Sequence, residues 1–312
     1  MNVAEVRPDR TQQSGRPGEW SPSPVVITCA LTGGIHGKEA NENLPEQPDE
    51  IVEQGIRAWE AGAAVLHLHA RNPDGSNTMD PGIFREIHDR LAEETDAVLQ
   101  LTTGGSPLLT VEERLQTVFL SPEMCSLNMG LLNFFIRGEQ VFFPNHRSDI
   151  ERFAGEMRDR GIRPELEIYS SAMLEEVEYL IATGILEAPF VLNFVLHTPT
   201  QGGQRGTGSN LVDMVERAYR MPVDPDDLRL NVSSMGRTQL PLTTVGISLG
   251  LNVRVGMEDN VFYRYGEPVR DNAQLVQRTA QIAELLQRPP ATPAQARAAF
   301  GLAPRPTEET TA

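Results

Sequence analysis

From Val25 onward the chain alternates between two patterns of apolar residues. One is a short run of aliphatic and β-branched residues, as expected of a strand buried on both faces; the other is a longer stretch with apolar positions every three to four residues, as expected of an amphipathic helix. The short runs predict strands at 25–31, 64–69, 97–102, 124–129, 165–169, 190–196, 228–233 and 251–256. Helical periodicity fills 48–61, 81–94, 111–119, 150–160, 173–183 and 211–219, with a further stretch, 272–286, after the last strand. Proline, glycine or an Asp, Ser or Thr cap opens or closes these stretches. Eight strands alternating with helices predict an α/β fold of the (β/α)8 TIM-barrel kind in a single domain.

The length of 312 residues suits that reading, since such barrels take roughly 250 residues. The expected barrel covers 25–302, between a polar N-terminal tail, 1–24, and a Pro/Thr/Glu-rich C-terminal tail, 303–312. The N-terminal segment lacks the apolar centre of a secretion signal, and no run approaches the roughly 18 apolar residues of a bilayer span, so no membrane partner is expected. Cys29 and Cys125 are the two cysteines, and both fall inside strand runs. Neither a disulfide framework nor a cysteine-rich zinc site can be built from them, and a cytoplasmic setting fits. The 27 basic against 43 acidic residues leave a formal charge of −16. Such a surface repels polyanions, so nucleic acid is not an expected partner, and an anionic cofactor would need local arginines or backbone N–H groups.

Polar residues at the C-terminal ends of barrel strands converge on one mouth. The second strand ends Val65-Leu66-His67-Leu68-His69-Ala70-Arg71, and the period of two puts both imidazoles on one face. Two such nitrogens can meet one metal ion at roughly 2.0–2.1 Å, needing one carboxylate from elsewhere to complete a three-ligand site. The eighth strand ends Arg254-Val255-Gly256-Met257-Glu258-Asp259-Asn260 and could supply it. The plain alternatives are hydrogen-bonded core histidines and a polar helix cap, but two neutral imidazoles on one inward face are costly unless paired or ligated. Thr102-Thr103-Gly104-Gly105 and Ser126-Leu127-Asn128-Met129-Gly130 could hydrogen-bond a substrate carboxylate, or simply turn the chain. Glu165-Leu166-Glu167 alternates along the fifth strand, so a glutamate there could face inward for function or simply pair with a barrel arginine, and the glycine-rich loop 198–208 around Arg205 reads equally as a phosphate cradle or a flexible connection.

Taken in order, these motifs, with Thr28-Cys29-Ala30-Leu31-Thr32-Gly33-Gly34, Pro164-Glu165-Leu166-Glu167 and Gly236-Arg237-Thr238-Gln239-Leu240-Pro241, resemble the β-keto acid cleavage enzymes, the family that includes 3-keto-5-aminohexanoate cleavage enzyme. The resemblance runs from about residue 25 to 302. It implies Zn²⁺, or another divalent metal, on His67, His69 and Glu258, with Asp259 as general base, Arg254 beside it and Glu167 nearby. Thr102 and Ser126 fall where the family binds the keto acid, with Thr103, Gly104, Gly105 and Asn128 around them. The implied reaction takes a β-keto acid and acetyl-CoA to acetoacetate and a new acyl-CoA, in a homodimer or homotetramer. Two positions depart. Ile35 stands where the aminohexanoate enzyme has a glutamate for the substrate's ammonium, and His197 stands where many relatives have glycine. A neutral aliphatic side group is therefore expected.

The same residues also fit two rival readings. A metal-dependent hydrolase also uses a His-x-His strand, but on the first strand and with further histidines, whereas this chain has six in all. A non-catalytic barrel that binds a small acid would not need Arg254, Glu258 and Asp259 together.

Overall fold

All eight expected strands form, and they close on themselves. The computed structural model describes residues 23–136 and 138–305. The strands are β1 (Ile27–Ala30), β2 (Val65–Leu68), β3 (Val98–Leu101), β4 (Met124–Asn128), β5 (Arg163–Ile168), β6 (Phe190–Leu196), β7 (Leu228–Ser234) and β8 (Asn252–Val255). Each pairs in parallel with its sequence neighbours, and β1 lies between β2 and β8, which closes the barrel. The segments expected as tails lie largely outside the described residues.

The expected helices appear as α1 (Pro48–Glu60), α2 (Pro81–Glu94), the short pair α3 (Val111–Arg114) and α4 (Gln116–Phe119), α5 (Arg147–Asp159), α6 (Leu174–Ala182), α7 (Gly208–Ala218) and, after β8, α9 (Asn272–Leu285). Their ends follow the cap signals. The Asp80 carboxylate, for example, accepts from the N–H groups of Gly82 and Ile83 at 2.7 and 3.1 Å and starts α2. Two helices have no counterpart in the periodicity. α8 (Gln239–Ser248) is apolar around much of its girth and carries Pro241 near its start, so it shows no amphipathic stripe. It packs so closely that a Cβ on Gly246 would lie 2.4 Å from Val232. α10 (Pro293–Phe300) plugs the N-terminal end of the barrel, where Ala296 and Phe300 meet Val26, Val65, Val98, Met124 and Val191.

Strand alternation then decides what fills the barrel. Leu66, Leu99, Cys125, Leu166, Leu192, Leu230 and Val253 belong to the apolar layer shared with the helices. The opposite parity of the same strands carries His67, Gln100, Ser126, Glu165, Asn193, Asn231 and Arg254, all buried. The barrel thus has an apolar floor and a polar middle, and its chemistry lies above that layer. Both cysteines are free and buried. Among the described residues no helix is long and apolar enough to cross a membrane.

Candidate active site

β2 points His67 into the barrel, His69 follows directly after its last residue, and the turn after β8 brings Glu258 to meet them. Nε2 of His67 lies 3.6 Å from Oε2 of Glu258, and Nε2 of His69 lies 3.6 Å from its Oε1. Possible ligand atoms of the three residues all lie within 4.8 Å of one another. Donors bound to one tetrahedral ion at about 2.1 Å stand roughly 3.4 Å apart, so the side chains are already spaced for a cation. Burial, then the charge of Arg254, holds both imidazoles in the neutral form that donates a lone pair; His69 is lowered to about 3. Oε2 of Glu258 is buried without a hydrogen-bond partner. Two neutral imidazoles and an unpartnered carboxylate oxygen are a donor set that suits zinc.

Glycine makes this convergence possible. Gly256 has φ 141°, and a Cβ there would sit 2.0 Å from the Ala30 carbonyl oxygen, so only glycine lets the end of β8 press against β1. At Gly33 a Cβ would fall 2.3 Å from Cγ of Glu258.

Arg254 on β8 organises the remaining carboxylates. Its Nε and Nη2 donate to the two oxygens of Asp259 at 3.0 and 2.9 Å, Nη2 also donates to Glu258 at 2.6 Å, and Nη1 donates to Glu167 at 3.2 Å. Burial disfavours the guanidinium, and Asp259, Glu258 and Glu167 more than reverse it, keeping its pKa well above normal. Burial also raises Glu167 to about 7, against the pull of Arg254.

Above this cluster opens a cavity of about 140 Å³. His67, His69, Glu167, Arg254, Glu258, Thr102, Gly104, Gly105, Ser126 and Asn128 line its polar side. Ile35, Pro107, Phe134, Val141, Phe143 and Met235 supply apolar wall. Three of these come from a hairpin invisible to the barrel pattern, Leu132–Ile136 with Glu139–Phe143. The loop after β6, left open between cradle and flexible connection, is tied to that hairpin: Phe135 N–H donates to the Pro199 carbonyl at 2.7 Å, and Gln201 N–H to that of Asn133 at 2.8 Å. Arg71, at the end of the His-x-His segment, donates to the carbonyls of Gly33 and His36 and so holds the loop that presents Ile35.

Three expected site residues stand off the cavity wall. Thr103 is buried and donates to the Ser126 carbonyl at 2.7 Å. His197 adopts φ 61° at the start of the β6 loop, its N–H donating to the Gln204 carbonyl at 2.9 Å. Asp259 is buried behind the Arg254 guanidinium. Sequence reasoning also passed over Gln100, whose Oε1 lies 2.7 Å from Nδ1 of His67. Strand parity could have found it, since Gln100 pairs with His67 in register.

The profile of the beta-keto acid cleavage enzymes matches residues 24–302. The chain belongs to this family. A 3-keto-5-aminohexanoate cleavage enzyme of Acetoanaerobium sticklandii is 37% identical over 279 residues, covering 89% of this chain and 98% of that relative. A 3,5-dioxohexanoate:acetyl-CoA acetone transferase of Paraburkholderia graminis is 35% identical over 295 residues, covering 88% and 94%. Among solved structures, the apo form of ObcA superposes with a TM-score of 0.70 at 21% identity, covering 83% of this chain and 66% of ObcA, which supports the barrel fold. Membership of an enzyme family sets aside the non-catalytic and hydrolase readings.

Proposed function

We propose that this barrel exchanges acyl groups between a β-keto acid and acetyl-CoA, with zinc on His67, His69 and Glu258. The observation that carries the reading is the meeting of that ligand trio with Arg254, Asp259 and Glu167 under one cavity. Zinc bound there would act as a Lewis acid toward the oxygens of the keto acid. Thr102, Ser126 and Asn128 border the same space and orient the substrate's carboxylate and carbonyl through hydrogen bonds. Asp259, held by the Arg254 guanidinium, removes the C2 proton. The C2 carbanion attacks the acetyl-CoA carbonyl and expels the CoA thiolate. That thiolate then attacks the original keto carbon, the C2–C3 bond breaks, the protonated base returns its proton to C2, and acetoacetate leaves with a new acyl-CoA.

One observation favours a second assignment of the base. Glu167 lines the cavity and is raised to about 7, a value suited to proton abstraction near neutral pH, whereas Asp259 is covered by Arg254. Arg205 and Arg237, exposed and without ion pairs among the described residues, sit on the adjoining loops after β6 and β7 and suit the phosphates of CoA. A Cβ on Gly206 would lie 2.8 Å from that of Thr238, which shows how closely the loops abut. The side group of the substrate is neutral and apolar, because Ile35 and the hairpin residues Phe134 and Val141 face it. A homodimer or homotetramer completes the reading, supported by exposed Phe135 and Phe142 on the hairpin and Leu131 just before it.

The deciding experiment incubates the purified protein with β-keto acids and acetyl-CoA and follows acetoacetate and acyl-CoA by mass spectrometry. Hydrolysis to free acids, or no CoA-dependent product with any keto acid, would reject the exchange.

A further inference from the structure

Glu165 is a buried carboxylate that the proposed chemistry does not use. It sits in the polar middle layer of the barrel, 1% exposed, two residues before Glu167 on β5. Oε1 accepts from Nδ2 of Asn231 at 3.0 Å, while Oε2 is buried with no hydrogen-bond partner. In the same layer Gln100 is fully buried and its Nε2 likewise lacks a partner. A buried donor and a buried acceptor each left open are costly unless they serve one another. The Gln100 amide does act on Glu165, helping with Arg254 and Asn231 to oppose the upward push of burial on its carboxyl. The contact nevertheless falls short of a fully formed hydrogen bond.

The other end of Gln100 meets a metal-site histidine. Its Oε1 lies 2.7 Å from Nδ1 of His67, the residue beside it in register on β2. With the amide oxygen there, Nδ1 must carry the proton of the neutral ring, and Nε2 is left bare toward Glu258, 3.6 Å away. Rotating the amide by half a turn reverses everything. The NH2 group would face Nδ1, the proton would move to Nε2, and the side of the ring facing Glu258 and His69 would be blocked.

Nothing in the amide's shape chooses between these orientations, so its other neighbour must. An ionised carboxylate only accepts, and against it the NH2 end is favourable while the oxygen end sets two acceptors together in a buried place. We infer that Glu165 is a positioning residue which, through the Gln100 amide, fixes the His67 tautomer that leaves Nε2 free for a metal. The inference rests on the metal reading of the site, but its central claim concerns the metal-free ring.

The test uses the full chain, stripped of metal by a chelator and labelled with ¹⁵N-histidine, at pH 8. His67 is assigned by comparison with His67→Gln. Wild type should show a protonated Nδ1 and a bare Nε2. Glu165→Gln, which can donate as well as accept, should yield a mixture of tautomers and a zinc affinity lower by about 10–100-fold in competition with a chromophoric chelator. Adding Gln100→Glu to that variant places an obligate acceptor against Nδ1 and should restore the wild-type tautomer. A proton on Nε2 in wild type overturns the inference without any substitution. So does a Glu165→Gln protein with unchanged tautomer and affinity. Should wild type take up no metal, the function proposed above fails, while the ¹⁵N spectra still decide this claim.

Discussion

Gly33 and Glu258 compete for one space: a Cβ on Gly33 would lie 2.3 Å from Cγ of Glu258 and 2.9 Å from its Cδ. The glycine in the loop after β1 is therefore what admits the Glu258 carboxylate beside the two histidines. Gly33→Ala should displace Glu258, empty the metal site and lower kcat/KM by at least about 10²-fold while the barrel stays folded. Metal analysis beside circular dichroism checks this, and full occupancy in the variant would refute it.

Arg254 holds both candidates for the base, so substitution must separate them. Asp259→Asn should lower kcat by about 10²–10⁴-fold with metal retained. Glu167→Gln should reduce kcat by a smaller factor, because on that assignment Glu167 only anchors Nη1 of the guanidinium. The reverse ranking would transfer the base to Glu167, in keeping with its place on the cavity wall.

Glu167 also carries a pH signature. Burial raises its folded-state pKa to about 7, so the folded protein holds that proton more tightly than the unfolded chain. The resulting stability is complete below the unfolded value near 4.5 and is lost as pH rises through about 7. Metal-free wild type should therefore lose stability against Glu167→Gln by up to about 1.4 kcal/mol per pH unit across that window, and no further above it. Denaturant midpoints at pH 5.5, 6.5 and 7.5 measure it; a constant difference between the two proteins would count against the raised value.

What was legible in the sequence follows from where its information is local. Barrel strands announce themselves through buried apolar runs, and His67 with His69 through a period of two, since both depend on residues a few positions apart. The hairpin that walls the cavity was not legible. Its strands, Leu132–Ile136 and Glu139–Phe143, lie outside the βα repeat and pair with each other and a loop rather than with the barrel. α8 was hidden because a helix packed tightly against β7, with Gly246 against Val232, has no polar stripe to mark it. The covering of Asp259 by Arg254, five residues away, depends on side-chain directions at a turn that spacing alone does not give.

Removing the unpaired cations should weaken CoA without touching the keto acid. Arg205→Ala with Arg237→Ala should raise KM for acetyl-CoA roughly 10-fold or more, with kcat and the keto acid KM little changed, and the effect should shrink as salt rises. An unaltered KM at low salt would place the CoA phosphates elsewhere on the mouth.

The substrate's side group is the test that engages most of the cavity. Ile35, on the loop pinned by Arg71, faces the space bordered by Phe134 and Val141 of the hairpin. An ammonium buried against this apolar wall would lose its water and cost several kcal/mol, roughly two or more orders of magnitude in kcat/KM. An aliphatic β-keto acid should thus be preferred over its 5-amino analogue, and also over a dicarboxylic one, since among the described residues no basic side chain but Arg254 joins the histidines in lining the cavity. Ile35→Glu should raise kcat/KM for the amino compound and lower it for the aliphatic one. Val141→Ala should instead admit a longer aliphatic chain, changing KM by no more than about 10-fold, as expected for one or two methylenes in an apolar pocket. A wild-type preference for the amino compound would show that another carboxylate reaches the side group. If Val141→Ala left the chain-length profile unchanged while Ile35→Glu shifted it, the hairpin would be cover and the β1 loop the selector.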